Sequence, residues 1–206
     1  MEIYENETDQ VAAVKRFFAE NGKALAVGVV LGIGALVGWR YWLSHQAANA
    51  SEASLAYQKA IDAVQASQPK TLDALQAFVS ENKNTYGALA SLELAQQYVD
   101  SNQPEKAATQ LESGLNSTKD VNLQSLIDLR LARIQIQQKQ PDAALKTLDA
   151  IKGESWAALV ADLRGEALLS KGDKQGAREA WSKGLLSQAS PALSEMIQMK
   201  INNLSS

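Results

Sequence analysis

One histidine, His45, and two Ser-x-x-Lys pairs, Ser67 with Lys70 and Ser80 with Lys83, come nearest to catalytic chemistry in this sequence. A lone imidazole with no cysteine and no clustered carboxylates does not make a transition-metal site. The serine–lysine pairs fall at breaks between helical segments and lack the companion motifs their chemistry needs. There is no cysteine, which removes thiol nucleophiles, thiolate metal ligands and disulfides. A G-x-S-x-G elbow and a glycine-rich phosphate loop are also missing. These residues predict no enzyme, no metal and no cofactor. What remains to act is surface, and the sequence says how that surface is built.

After residue 46 the chain reads as helix throughout, rich in alanine, leucine and glutamine, with breaks at Ser67-Gln68-Pro69, Asn82-Lys83-Asn84, Ser101 to Pro104, Lys139-Gln140-Pro141, Lys171-Gly172-Asp173 and Ser190-Pro191. Short turns between such segments make antiparallel hairpins. Self-comparison reveals a repeat. Leu94-Ala95 to Ala107 and Leu111, Leu131-Ala132 to Ala144 and Leu148, and Arg164-Gly165 to Ala177 and Trp181 superpose, with copies spaced by 37 and then 33 residues. A tetratricopeptide repeat has a period of about 34 residues, so the pattern resembles that family. The small residues fit close crossing of the two helices in each hairpin. The consensus aromatic is absent, with Ser91, Asp128 and Ala161 in its place, and a plain helical bundle is the alternative. The predicted fold class is all-α, a single N-terminal transmembrane helix followed by a tetratricopeptide-like helical-hairpin solenoid.

In such repeats the first helix of each hairpin lines a concave groove. That pattern points Leu89, Leu92, Leu126, Leu129 and Leu159 inward with Asp162, flanked by Gln96, Arg133 and Glu166. A leucine-rich groove suits an extended or helical apolar segment. Packing of those leucines between repeats is the competing reading.

The anchor is the run from Ala24 to Leu43, twenty residues with one charge, Arg40. At about 1.5 Å per residue it matches a hydrocarbon core of about 30 Å. Trp39, Tyr41 and Trp42 suit the headgroup depth that Arg40 also reaches. Lys15, Arg16 and Lys23 precede the run and no lysine or arginine follows Arg40 until Lys59, which predicts a cytoplasmic N-terminus and an exported C-terminal part. A removed signal peptide, cut near Ala48-Asn49-Ala50, is the rival. Gly28, Gly32, Gly34 and Gly38 form small-residue pairs four apart, a candidate contact with another membrane helix. Val11, Val14, Phe17 and Phe18 recur at helical spacing with Lys15 and Arg16, suggesting a short amphipathic segment or else a loosely ordered tail. The organisation is thus 1–22 cytoplasmic tail, 23–43 signal anchor and 44–206 exported domain, with the clearest repeats at about 86–118, 123–152 and 156–187 and a capping helix at 190–204. From Gln46 onward sixteen Lys and Arg face eighteen Asp and Glu, spread evenly, which argues against nucleic acid.

The opening Met1-Glu2-Ile3-Tyr4-Glu5-Asn6-Glu7, the segment Val14-Lys15-Arg16-Phe17-Phe18, the span ending Gly38-Trp39-Arg40-Tyr41-Trp42, and Asn84-Thr85-Tyr86-Gly87-Ala88-Leu89-Ala90 resemble the bacterial YfgM family over the full length. The resemblance implies an inner-membrane protein with a periplasmic tetratricopeptide domain, ancillary to the SecYEG translocon and associated with the membrane-anchored chaperone PpiD. It implies a non-enzymatic accessory of protein export that links the translocon to chaperone activity and meets unfolded client chains. An envelope-assembly scaffold and a regulator acting through the cytoplasmic tail are the alternatives.

Overall fold

The computed structural model describes residues 7–65 and 71–204. Every regular element among them is helical, so the fold is all-α. The helices are α1 (Glu7–Gln65), α2 (Thr71–Glu81), α3 (Thr85–Asp100), α4 (Pro104–Ser117), α5 (Val121–Gln137), α6 (Pro141–Ala150), α7 (Ala157–Ser170), α8 (Lys174–Leu185) and α9 (Pro191–Asn203), with a 3-10 turn at Glu154–Trp156. The chain divides after Glu52 into two compact units.

In the first unit, α1 carries the apolar run. Val14–Asp62 is the one stretch among the described residues long and apolar enough to cross a membrane. Val30, Leu31, Leu36 and Tyr41 are each about two-thirds or more exposed, an arrangement that water disfavours and lipid does not. A Cβ added at Gly28, Gly32, Gly34 or Gly38 would meet nothing within 4 Å.

The second unit is a succession of hairpins. Its helix starts are set by local chemistry. The Asn84 side chain accepts from the N–H groups of Tyr86 and Gly87 at 3.0 and 3.1 Å, and Asp120 accepts from Asn122 and Leu123 at 2.9 and 3.0 Å. Pro104, Pro141 and Pro191 sit in the first turn, where a missing N–H leaves no bond unmade. The turns inside α3–α4, α5–α6 and α7–α8 are copies of one another. In each, a residue with positive φ, Asn102 (56°), Lys139 (58°) or Gly172 (84°), ends the first helix. The following N–H then reaches five residues back, Gln103 to Tyr98 O at 2.8 Å, Gln140 to Gln135 O at 2.8 Å and Asp173 to Leu168 O at 3.0 Å. This is the Schellman closure, and it fixes the hairpin angle three times over.

Small residues let the hairpins close. Ala107, Ala132, Ala144 and Ala177 are wholly buried and Ala95 nearly so. The third hairpin differs from expectation. The atoms nearest a Cβ on Gly165 belong to the Trp181 indole, with Nε1 at 2.3 Å, so this glycine makes room for a tryptophan rather than only for Ala177. One core cluster runs through Leu75, Phe78, Leu94, Leu111 and Ile127, a second through Ala132, Ala144, Leu148 and Leu163, and a third through Ala177, Trp181 and Ile197. Each buries faces that a lone hairpin would expose, as in a solenoid. The last turns of α1 contribute Tyr57, 6.2 Å from the Phe78 ring and 6.0 Å from that of Tyr86.

Candidate partner-binding groove

The potential catalytic pairs do not assemble. Ser80 Oγ donates to the Ala77 carbonyl at 2.8 Å, a helix-internal bond, while Ser67 and Lys70 lie outside the described residues. The His45 ring stacks on Tyr41 with centroids 6.4 Å apart. Among the described residues no group of three or more His, Asp or Glu stands ready to hold a metal.

The nine residues assigned to the groove separate into three sets. Leu92 and Leu129 are each 7% exposed and belong to the cores, and Leu89 and Leu126 are half-buried against the first core. These leucines are mostly structural. Leu92, Gln96 and Arg133 come together in a cleft of about 210 Å³ between α3 and α5. Its floor also includes Ala95, Val99, Leu111 and Ile134, and its rim adds Arg130 and Gln137. A second cleft of about 490 Å³ shares Val99 and Gln137 and continues past Asn102, Gln138 and Gln140, with Glu105 at its edge. Arg130 and Gln137 were not expected from the sequence, although they lie one helical turn to either side of Arg133.

The third set is occupied by the chain itself. Lys200 Nζ on α9 lies 2.6 Å from Asp162 Oδ1 and 2.6 Å from Glu166 Oε1. Asp162 is fully buried, and its main-chain carbonyl accepts from Trp181 Nε1 at 3.0 Å. Lys200 also stands over the Trp181 ring, 6.0 Å from its centroid. A buried carboxylate is tolerable only when so paired. Leu159, 37% exposed, stays at the surface nearby on α7.

Among the described residues, two titrations are displaced. Burial pushes the Asp128 carboxyl up to about 6. Burial, followed by the negative charge of Glu93, raises the Tyr57 phenol.

Comparison with known proteins decides the lineage. The tetratricopeptide repeat-like domain family matches residues 15–206. The ancillary SecYEG translocon subunit of Escherichia coli is 72% identical over 205 residues, spanning 100% of both chains. The chain belongs to the YfgM family of ancillary SecYEG translocon subunits. Its Haemophilus influenzae relative of the same description is 35% identical over 96% of this chain and 97% of its own length, and that of Buchnera aphidicola from Schizaphis graminum is 37% identical over 73% and 77%. A solved structure described as the MamA RS-1 ArsTM double mutant superposes with a TM-score of 0.58 at 16% identity, covering 74% of this chain and 82% of that one, and so shares the fold. Membership of the family accords with the Asn84-to-Ala90 motif, in which Gly87 has a physical reason. A Cβ there would lie 1.8 Å from the Asn82 carbonyl oxygen, so the capped turn tolerates only glycine.

Proposed function

We propose that this protein is a non-enzymatic accessory of the Sec translocon in the bacterial inner membrane. Residues 1–22 face the cytoplasm, 23–43 span the bilayer, and the repeat domain, 44–206, lies in the periplasm. The observation that carries this reading is full-length identity of 72% to the E. coli translocon subunit. The small-residue pairs Gly28 with Gly32 and Gly34 with Gly38 support contact with a neighbouring span, since backbones approach closely where side chains are missing. The α3–α5 cleft supports capture of a peptide segment, from an emerging client chain or from the chaperone PpiD. Tethering supplies the mechanism. A weak groove held beside the channel exit works at a high effective concentration, so modest affinity suffices to pass a chain towards chaperone activity.

The test is purification in gentle detergent of the full-length protein beside a version lacking residues 1–45, with bound proteins identified by mass spectrometry. Translocon and PpiD recovered with the full-length form alone support the reading. Envelope-assembly proteins in both samples, without translocon, reject it in favour of a scaffold.

A further inference from the structure

We infer that the α3–α5 cleft selects an extended segment carrying an acidic side chain next to an apolar one, with the carboxylate held between Arg130 and Arg133. This rests on the groove reading above and adds the charge of its ligand.

Three observations lead there. The floor is apolar, formed by Leu92, Val99 and Ile134, of which Val99 is the most exposed at 39%. Arg130 and Arg133 stand one helical turn apart at the rim of this floor, and neither enters a hydrogen bond or ion pair among the described residues. Two guanidinium forks with free donors beside an apolar surface match a carboxylate better than any neutral group.

The acidic residues on the neighbouring repeat have a cationic partner of their own. Gln96, Arg133 and Glu166 occupy one register, and Lys200, thirty-four residues after Glu166, continues it. Asp162 and Glu166 are both engaged by Lys200, whereas Arg130 and Arg133, the two cations that line this cleft, have no ion pair among the described residues. Glu105 is the acid on the adjoining cleft, past Gln137. Between these ends the carboxamides of Gln137, Gln138 and Gln140 and of Asn102 offer both donors and acceptors, which suit the backbone of an extended chain. A basic segment placed here meets like charge at the arginines and is rejected.

The experiment uses full-length protein in detergent micelles and a fluorescent peptide of alternating leucine and aspartate, compared with the same peptide carrying lysine for aspartate. Anisotropy should show the aspartate peptide bound roughly tenfold tighter or more, with the gap narrowing as salt rises. Arg130→Glu with Arg133→Glu should reverse the preference, and Arg130→Gln with Arg133→Gln should abolish it without reversal. Both positions are solvent-facing, and the helical circular dichroism of each variant checks the fold. Equal binding of the two peptides, binding of neither, or a preference unchanged in both variants overturns the inference. Translocon recovery is measured on the same preparations. Charge preference without translocon recovery leaves this inference standing and rejects the Sec reading, whereas recovery without charge preference rejects this inference alone.

Discussion

Lys200 Nζ and Asp162 Oδ1, 38 residues apart in sequence, meet at 2.6 Å where the carboxylate is closed to solvent. This pair ties α9 to the third hairpin and leaves the Asp162 carboxylate engaged within the chain. Lys200→Met leaves a buried charge without a partner and should destabilise the repeat domain by about 3 kcal/mol. Adding Asp162→Asn removes that charge and should recover most of the loss. Urea unfolding followed by tryptophan fluorescence measures both; a loss for the single variant as small as that of an exposed pair would contradict the assignment.

Gly165 and Trp181 form the second tight relationship. Gly165→Ala forces a Cβ to 2.3 Å from an indole that is 1% exposed, and overpacking of this kind costs about 1–3 kcal/mol. The penalty should shrink when Trp181→Phe is introduced alongside, because the smaller ring frees the space. Thermal melts of the two singles and the double complete the cycle, and strict additivity would show that the two residues do not collide.

The repeated turn gives a prediction of opposite sign at two equivalent positions. Lys139 holds φ at 58°, a region open to glycine but strained for lysine, whereas Gly172 holds 84°. Lys139→Gly should therefore stabilise by about 0.5–1 kcal/mol, and Gly172→Ala should destabilise by about 1 kcal/mol. Denaturant midpoints with unchanged slopes would confirm both.

Asp128 makes stability depend on pH. Its carboxyl titrates at about 6 in the fold, against 3.8 for the free side chain. Between these values the unfolded chain is ionised while the folded one keeps its proton, so stability is greatest below the lower value and falls as pH rises to about 6, then levels off. For a half-exposed carboxylate, solvent screening limits the loss to about 1 kcal/mol. Asp128→Asn should remove this slope and gain about that amount at pH 7.5. Denaturation of wild type and variant at pH 4.5 and 7.5 gives the difference directly; parallel profiles would contradict it.

Much of the fold was legible because its small residues are periodic. Ala95, Ala107, Ala132, Ala144, Gly165 and Ala177 are all buried, as crossing helices demand. The groove was less legible. Leu92 and Leu129 repeat at the spacing of groove-lining positions, yet one residue type serves equally well between repeats, and both are core. Asp162 and Glu166 looked available because their partner sits on the terminal helix. The signal was present, since Lys200 follows Glu166 at the repeat interval, but only the packed fold puts its ammonium between the two carboxylates. Arg130 was passed over because the repeat register singles out Arg133 alone, whereas a cleft gathers whatever lies one turn away.

On the proposed function, the anchored repeat domain holds polypeptide beside the Sec channel. Placing a photo-crosslinking amino acid at Gln96, an exposed residue lining the cleft, in the full-length protein in living cells probes this hold. Adducts with translocating chains or PpiD are expected, and they should disappear when residues 1–45 are replaced by a cleavable export signal, because the domain then loses its tether. Adducts confined to folded envelope proteins, unchanged by loss of the anchor, would contradict it.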